Sequence, residues 1–335
     1  MKRSTLADER ASSADMLSDS ADPTAAPTRR RRGRRAQDWF AVIVFVLPAL
    51  ALFVLMVLLP MGIAAYTSLF KWSGYVGAPM TYVGFDNFKR LFQDEVFTGD
   101  LWRGGLIILL SLVLQLPVAL ALAMLLNQPL RGRTFYRLLF FAPYVLSEVT
   151  TAVLFKIVFS PNRGLVPHLL GGVGLGDLGT KVFADPKTVL YSVFVVISWK
   201  YFGFHMILYL AGRQNIPKEL TEAATTDGAT AWQVFRHVTL PLLGPTIRVS
   251  IFLSIIGAIQ LFDMVWVLTE GGPVHGSETM AVTMYQTGFK RFQFGYATAI
   301  TITMFIISLV FALFYQRFVM RRDLEGAVTG MGVQR

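Results

Sequence analysis

The sequence predicts an all-α integral membrane protein with six transmembrane helices and both termini in the cytoplasm. Three observations carry this expectation. Of the 335 residues, 54% are hydrophobic and only 16% charged, well short of the roughly 25% charge usual for soluble domains. The charges are also unevenly spread: 39–70, 104–130 and 292–316 contain none, and each stretch exceeds the roughly 20 apolar residues that a helical crossing needs. Six arginines, finally, crowd between Arg29 and Arg35, just ahead of the first apolar run. The formal charge of +10 therefore belongs with a membrane, not with nucleic acid, since nucleic-acid binding needs a basic face on a soluble fold.

Taken in order, residues 1–37 lack any apolar period and read as a disordered basic cytoplasmic tail. The alternatives are a twin-arginine export signal or a lipid-binding patch. Under the positive-inside rule the arginines hold this end in the cytoplasm, and Trp39 and Phe40 sit at headgroup level as an anchor. The transmembrane body spans 38–320, with crossings at about 39–65, 104–126, 138–159, 189–211, 249–268 and 295–318, and 321–335 forms a cytoplasmic C-terminal tail. Pro48, Pro60, Pro117 and Pro143 fall inside spans. In a bundle, neighbouring helices and local adjustments re-satisfy the freed carbonyls, so these prolines predict kinks and not breaks.

Four charges remain within spans: Glu148 and Lys156 in the third, Lys200 in the fourth, Asp263 in the fifth. A charge at that depth costs at least about 2.5–3.5 kcal/mol and faces the bundle interior. Spans three to five are thus expected to line a path, with one, two and six as a lipid-facing wrap. Helical rise puts Glu148 and Lys200 near mid-membrane, and Lys156 and Asp263 nearer the outside, which predicts the pairs Glu148–Lys200 and Lys156–Asp263. Gln115, Glu148, Trp199, Lys200, Tyr201, Gln260 and Asp263 are the substrate-path candidates. Carboxylates, amides and aromatic rings suit a sugar's hydroxyls and flat apolar faces. The competing expectation is that the charges form structural pairs and the aromatics, like His205, merely pack.

The most informative stretch is the loop 212–248 between spans four and five. Pro217, Glu219 and Glu222 mark a helix N-terminus, and Gly228 supplies a left-handed closing residue. A second helix follows, with Trp232, Phe235 and Val238 three apart, and Leu240-Pro241 ends it. Glu222-Ala223-Ala224, Asp227-Gly228-Ala229, Phe235 and Leu240-Pro241 together resemble the EAA loop of binding-protein-dependent ABC importer permeases. Residues 82–88, Pro143-Tyr144, Ile216-Pro217 and Thr269-Glu270-Gly271-Gly272-Pro273 extend the likeness to the carbohydrate-uptake, maltose-type branch.

That resemblance implies a type I ABC importer permease architecture in the bacterial cytoplasmic membrane, working by alternating access. It also implies a second permease subunit, two ATPase subunits seated on the EAA loops, an extracytoplasmic binding protein, and ATP with Mg bound on the ATPases and not on this chain. In keeping with this, the sequence holds no G-x-x-x-x-G-K-[ST] phosphate loop. It also shows no HExxH, no G-x-S-x-G and no cluster of metal ligands, which speaks against a membrane-embedded enzyme. The loop's alternative role is an amphipathic helix packed on its own bundle. The alternative functions are a permease for another solute such as glycerol phosphate, and an ion-coupled secondary transporter. A phosphorylated cargo favours clustered arginine, and a secondary transporter favours internal repeats. Neither is evident in the sequence.

Overall fold

Prolines shape the spans more than hydropathy does. In a computed structural model of the chain, three helices widen into a π-turn just before a proline. Leu59 donates to the carbonyl of Val54, Leu116 to Ser111 and Leu240 to Phe235, and Pro60, Pro117 and Pro241 follow at once. Proline has no N–H, and its ring crowds the carbonyl four residues back. A wider turn lets the chain pass that point without breaking.

The structure describes residues 43–320, apart from 162, 173, 175, 177, 178 and 180. The expected basic tail at 1–37, the Trp39–Phe40 anchor and the tail at 321–335 lie outside the described residues. The chain divides into two units, at Met61 and Gly62. The described part of the first belongs to the strongly apolar helix Ile43–Thr67, and its side chains are exposed from 43 to 60. An apolar helix exposed over residues 43–60 is suited to lipid.

In the second unit, the ladder of Phe70–Lys71 with Thr81–Tyr82 leads to the short helix Asp86–Gln93. The second span runs over Glu95–Leu126. It starts nine residues before the charge-free run because Asp94 caps it, accepting from the Val96 amide at 2.9 Å. The third span is broken. Arg133–Val145 and Glu148–Val158 meet at 99°, with Ser147 as the N-cap of the second piece. The expected kink at Pro143 is therefore displaced: the helix passes through Pro143 and breaks at Leu146–Ser147. The fourth span, Val189–Gln214, is continuous. The fifth also comes in two pieces, Gly244–Ile259 and Asp263–Thr269, and Phe294–Met320 forms the sixth. Among the described residues four helices are long and apolar enough to cross a membrane singly, or up to six if two bent pairs, Arg133–Val145 with Glu148–Val158 and Ala231–Leu242 with Gly244–Ile259, each count as one span.

The fourth span is the hub. Its Met206, Tyr209 and Leu210 pack on Ala119, Ala123 and Leu126 of the second, where small residues let the helices approach closely. Its Gly203 faces the third, and a Cβ there would lie 1.9 Å from the Phe140 carbonyl oxygen, so only glycine fits. Val193 and Val196 share a core with Ala152, Met264 and Val265. That core locks the second pieces of the two broken spans onto the hub.

Candidate functional site

A cavity of about 370 Å³ opens where the two breaks face each other. Ser111 and Gln115 reach it from the π-turn of span two, and Tyr144 and Glu148 from either side of the break in span three. Tyr201 and His205 reach it from the hub, and Gln260, Phe262 and Asp263 from the break in span five. Non-helical backbone at membrane depth is tolerated where it lines such a space. The breaks also place charge. Glu148 and Asp263 each stand in the first turn of a helix, where the peptide dipoles favour a carboxylate.

Glu148 accepts a hydrogen bond from the Tyr201 hydroxyl. Tyr144 stacks on Phe204, with centroids 4.8 Å apart, and meets Tyr201 edge-on. Deeper in, Tyr209 donates to Ser250 at 2.8 Å, and Ser250 lies 2.7 Å from His205 Nδ1. With its oxygen accepting from Tyr209, Ser250 donates a hydrogen bond to Nδ1, which is the arrangement of a neutral imidazole with its hydrogen on Nε2. His205 is thus a satisfied bundle histidine, as one reading expected, and it also lines the cavity. Asp263 has no hydrogen-bond or ion-pair partner among the described residues.

Neither expected pair closes to a direct ion pair, although Glu148 lies near enough to Lys200 for its charge to act on the ammonium. Among the described residues, no direct contact joins Glu148 to Lys200 or Lys156 to Asp263. Lys200 instead donates to the carbonyls of Tyr144, at 3.4 Å, and Leu146. Lys156 donates to the Val267 carbonyl at 3.4 Å. The last carbonyls of a helix are obligatory acceptors and the negative end of its dipole; Lys200 is drawn to those at the break in span three, and Lys156 to the last turn of Asp263–Thr269, away from the break in span five. Trp199 also leaves the path, packing edge-on against Phe155 at 5.0 Å. Five of the seven candidates, Gln115, Glu148, Tyr201, Gln260 and Asp263, share the cavity; Trp199 and Lys200 support its walls. Span two contributes to the lining, so the expected lipid-facing role holds for only part of its surface.

The loop after span four forms a short helix, Lys218–Thr226, none of whose residues is buried. Gly228 closes it at φ +87°. Its amide donates to Thr225 at 3.0 Å, and Ala229 donates to Ala224 at 3.0 Å. This double bond set is the Schellman closure. The chain restarts at Thr230, whose capping box with Gln233 leads through Ala231–Val234, Phe235–Thr239 and Leu240–Leu242. Trp232, 64% exposed, lies against Phe235 at 5.4 Å. Glu222, Ala223 and Trp232 all face outward, leaving the helix open to a partner.

Residues 115–323 match the family described as the binding-protein-dependent transport system inner membrane component. The chain belongs to this family. It is an ABC transporter permease and a multi-pass membrane protein, a transporter and not an enzyme. Among its relatives, the diacetylchitobiose uptake system permease NgcF of Streptomyces coelicolor is 32% identical over 315 residues, covering 87% of this chain and 88% of NgcF. The lactose transport system permease LacF of Rhizobium radiobacter is 33% identical over 283 residues, covering 84% and 93%. The multiple sugar-binding transport system permease MsmF of Streptococcus mutans is 34% identical over 264 residues, covering 78% and 89%. A crystal structure of a bacterial ABC transporter that imports the acidic polysaccharide alginate is similar in fold, with TM-score 0.74 and 27% identity over 85% of this chain and 96% of that one.

Sequence reasoning missed a second polar centre in this permease, at the end of the bundle away from the 218–226 helix. Asp100 is fully buried and bonds Arg103 at 2.5 Å; Arg103 also donates to the Glu278 carbonyl at 2.8 Å. The Thr283 hydroxyl lies 2.5 Å from Asp100 and 2.9 Å from Glu278, and His275 bonds Glu278. Asp100 and Arg103 sit just before the charge-free run and read as loop. The three-residue spacing of Asp100 and Arg103 was the available signal for a helical pair.

Proposed function

We propose that this permease moves a neutral sugar, mono- or oligosaccharide, from an extracytoplasmic binding protein into the cytoplasm by alternating access through the described cavity. Two ATPase subunits hydrolyse ATP with Mg and drive the cycle through residues 212–248. A second permease, of a different sequence, completes the pathway. Both termini are cytoplasmic, and the assembly sits in the bacterial cytoplasmic membrane.

The observation that carries the sugar reading is the cavity's inventory. It presents the Glu148–Tyr201 pair, the free Asp263 carboxylate, two side-chain amides and several aromatic rings, and no lysine or arginine is among its lining residues. Hydroxyl-rich solutes match acceptors and flat apolar faces. An anionic cargo such as glycerol phosphate would meet two carboxylates with nothing to neutralise it, so that alternative loses ground. NgcF, LacF and MsmF, whose names carry sugars, support the same reading. Exposed Glu222 and Ala223 support the coupling role of their loop over simple packing on the bundle.

Purification of the chain from its own cells with the proteins that accompany it tests this reading. A binding protein, two copies of an ATPase and a second permease are expected. Calorimetric titration of that binding protein should give binding to lactose, diacetylchitobiose or another neutral saccharide. Binding restricted to phosphorylated or carboxylated solutes overturns the sugar assignment.

A further inference from the structure

Phe262 stands on the cavity wall and is also the first of a run of aromatic rings that leaves the cavity. Its ring lies parallel to that of Trp266, one turn further on, with centroids 6.0 Å and planes 8° apart. Trp266 meets Tyr285 at 4.7 Å, Tyr285 stacks on Phe289 at 5.2 Å, Phe289 meets Phe294 at 5.2 Å, and Phe294 meets Trp72 at 5.9 Å. The run follows the helix Asp263–Thr269 away from the cavity, toward the end of span five opposite the 218–226 helix.

None of these six rings is buried, and Phe289 is 54% exposed. The other five are half-buried, so part of the aromatic surface of the run is left out of the packing that stabilises a fold. Polar groups gather along its margin. The Lys290 ammonium lies 4.4 Å from the Trp266 ring centroid and 3.3 Å from the Glu270 carboxylate, and Gln286 donates to the Glu270 carbonyl at 2.9 Å. Flat apolar faces bordered by donors and acceptors are the chemistry that takes a sugar ring, its C–H face on the aromatic and its hydroxyls on the border. Steps of 4.7 to 6.0 Å are comparable to the length of one sugar ring, so successive units of a saccharide meet successive platforms.

We infer that these rings form a second saccharide-binding surface, a track between the binding protein and the cavity. The inference rests on the sugar reading of the cargo. Stacking without a deep pocket holds the sugar weakly at each step, which suits passage and not storage.

The test is uptake of labelled lactose and diacetylchitobiose by the assembled complex in proteoliposomes, at saturating binding protein, for wild type, Phe289→Ala, Phe289→Tyr and Trp266→Leu. Alanine and leucine are expected to slow uptake by about two- to tenfold, the change that corresponds to one lost stacking contact. Tyrosine at 289 should restore it, with the second permease retained at wild-type stoichiometry in every variant. Unchanged uptake in both truncations overturns the track and leaves the sugar reading standing. Loss of the second permease from Phe289→Ala assigns the rings to the subunit interface and likewise overturns it. A wild-type complex that takes up neither these nor other neutral saccharides, but does take up a charged solute, overturns the sugar reading itself.

Discussion

The ammonium of Lys200 holds the backbone carbonyl of Leu146, 54 positions earlier, at the point where the third span breaks. A second bond, to Tyr144 at 3.4 Å, closes the same helix end. A buried cation thus stabilises a bend, and the bend carries Tyr144 and Glu148 to the cavity.

Lys200→Met should therefore act on the fold first. It leaves the carbonyls at the break without their charged donor, and hydrogen bonds to charged groups contribute about 1.5–3 kcal/mol. The melting temperature of the purified chain in detergent should fall, and Lys200→Arg should recover part of the loss. An unchanged melting temperature with abolished uptake would instead make Lys200 a substrate ligand.

Glu148→Gln keeps the shape of the side chain and removes its charge. It should reduce sugar uptake by on the order of tenfold, the effect of losing one charge-assisted hydrogen bond to cargo, while the complex still assembles. Tyr201→Phe should have a smaller effect in the same direction, since it frees Glu148 from its partner. Initial uptake rates across a range of sugar concentrations separate the two.

The helix 218–226 gives a sharper contrast. Glu222 is exposed and its neighbours leave it free, so Glu222→Lys should change the chain's stability by no more than about 0.5 kcal/mol. In the assembled complex it should nevertheless abolish substrate-stimulated ATP hydrolysis. Gly228→Ala has open space around it but a φ of +87°, so its cost is backbone strain of about 1–2 kcal/mol. It should weaken coupling without preventing folding.

Thr283→Val tests the buried polar centre at the other end. It removes the hydroxyl between Asp100 and Glu278 and leaves two buried acids facing an apolar group. A destabilisation of about 1–3 kcal/mol is expected, read as a lowered melting temperature, with Thr283→Ser recovering most of it.

What the sequence disclosed about this permease follows from how far each signal reaches along the chain. The 218–229 helix and its closure were legible because caps, small residues and a left-handed glycine all act within a few residues of one another. Apolar runs likewise marked the helices, four singly and up to six with the bent pairs, that are long and apolar enough to cross. Hydropathy is blind to bends, however, since Leu146 and Leu261 are as apolar at a break as in a helix. Ser147, a good N-cap, was the one local sign of the break in span three. Depth arithmetic brought Glu148 and Lys200 to one level but not to a contact, because it counts side chains and ignores the carbonyls that a broken helix sets free. Lys156 likewise went to a backbone carbonyl, that of Val267 in the last turn of Asp263–Thr269. Gln115 was found among the polar candidates, while the contribution of its whole span to the cavity depended on tertiary packing against the hub.

The central claim, an ATP-driven sugar permease whose cargo crosses the cavity at Glu148, is tested most directly by uptake into proteoliposomes holding the purified complex, with ATP enclosed beside the ATPases and loaded binding protein outside. Labelled neutral saccharide should accumulate only with ATP, and Glu148→Gln should reduce that accumulation on the order of tenfold. Uptake that persists without ATP and collapses with the proton gradient, or that is indifferent to Glu148→Gln, would contradict the account.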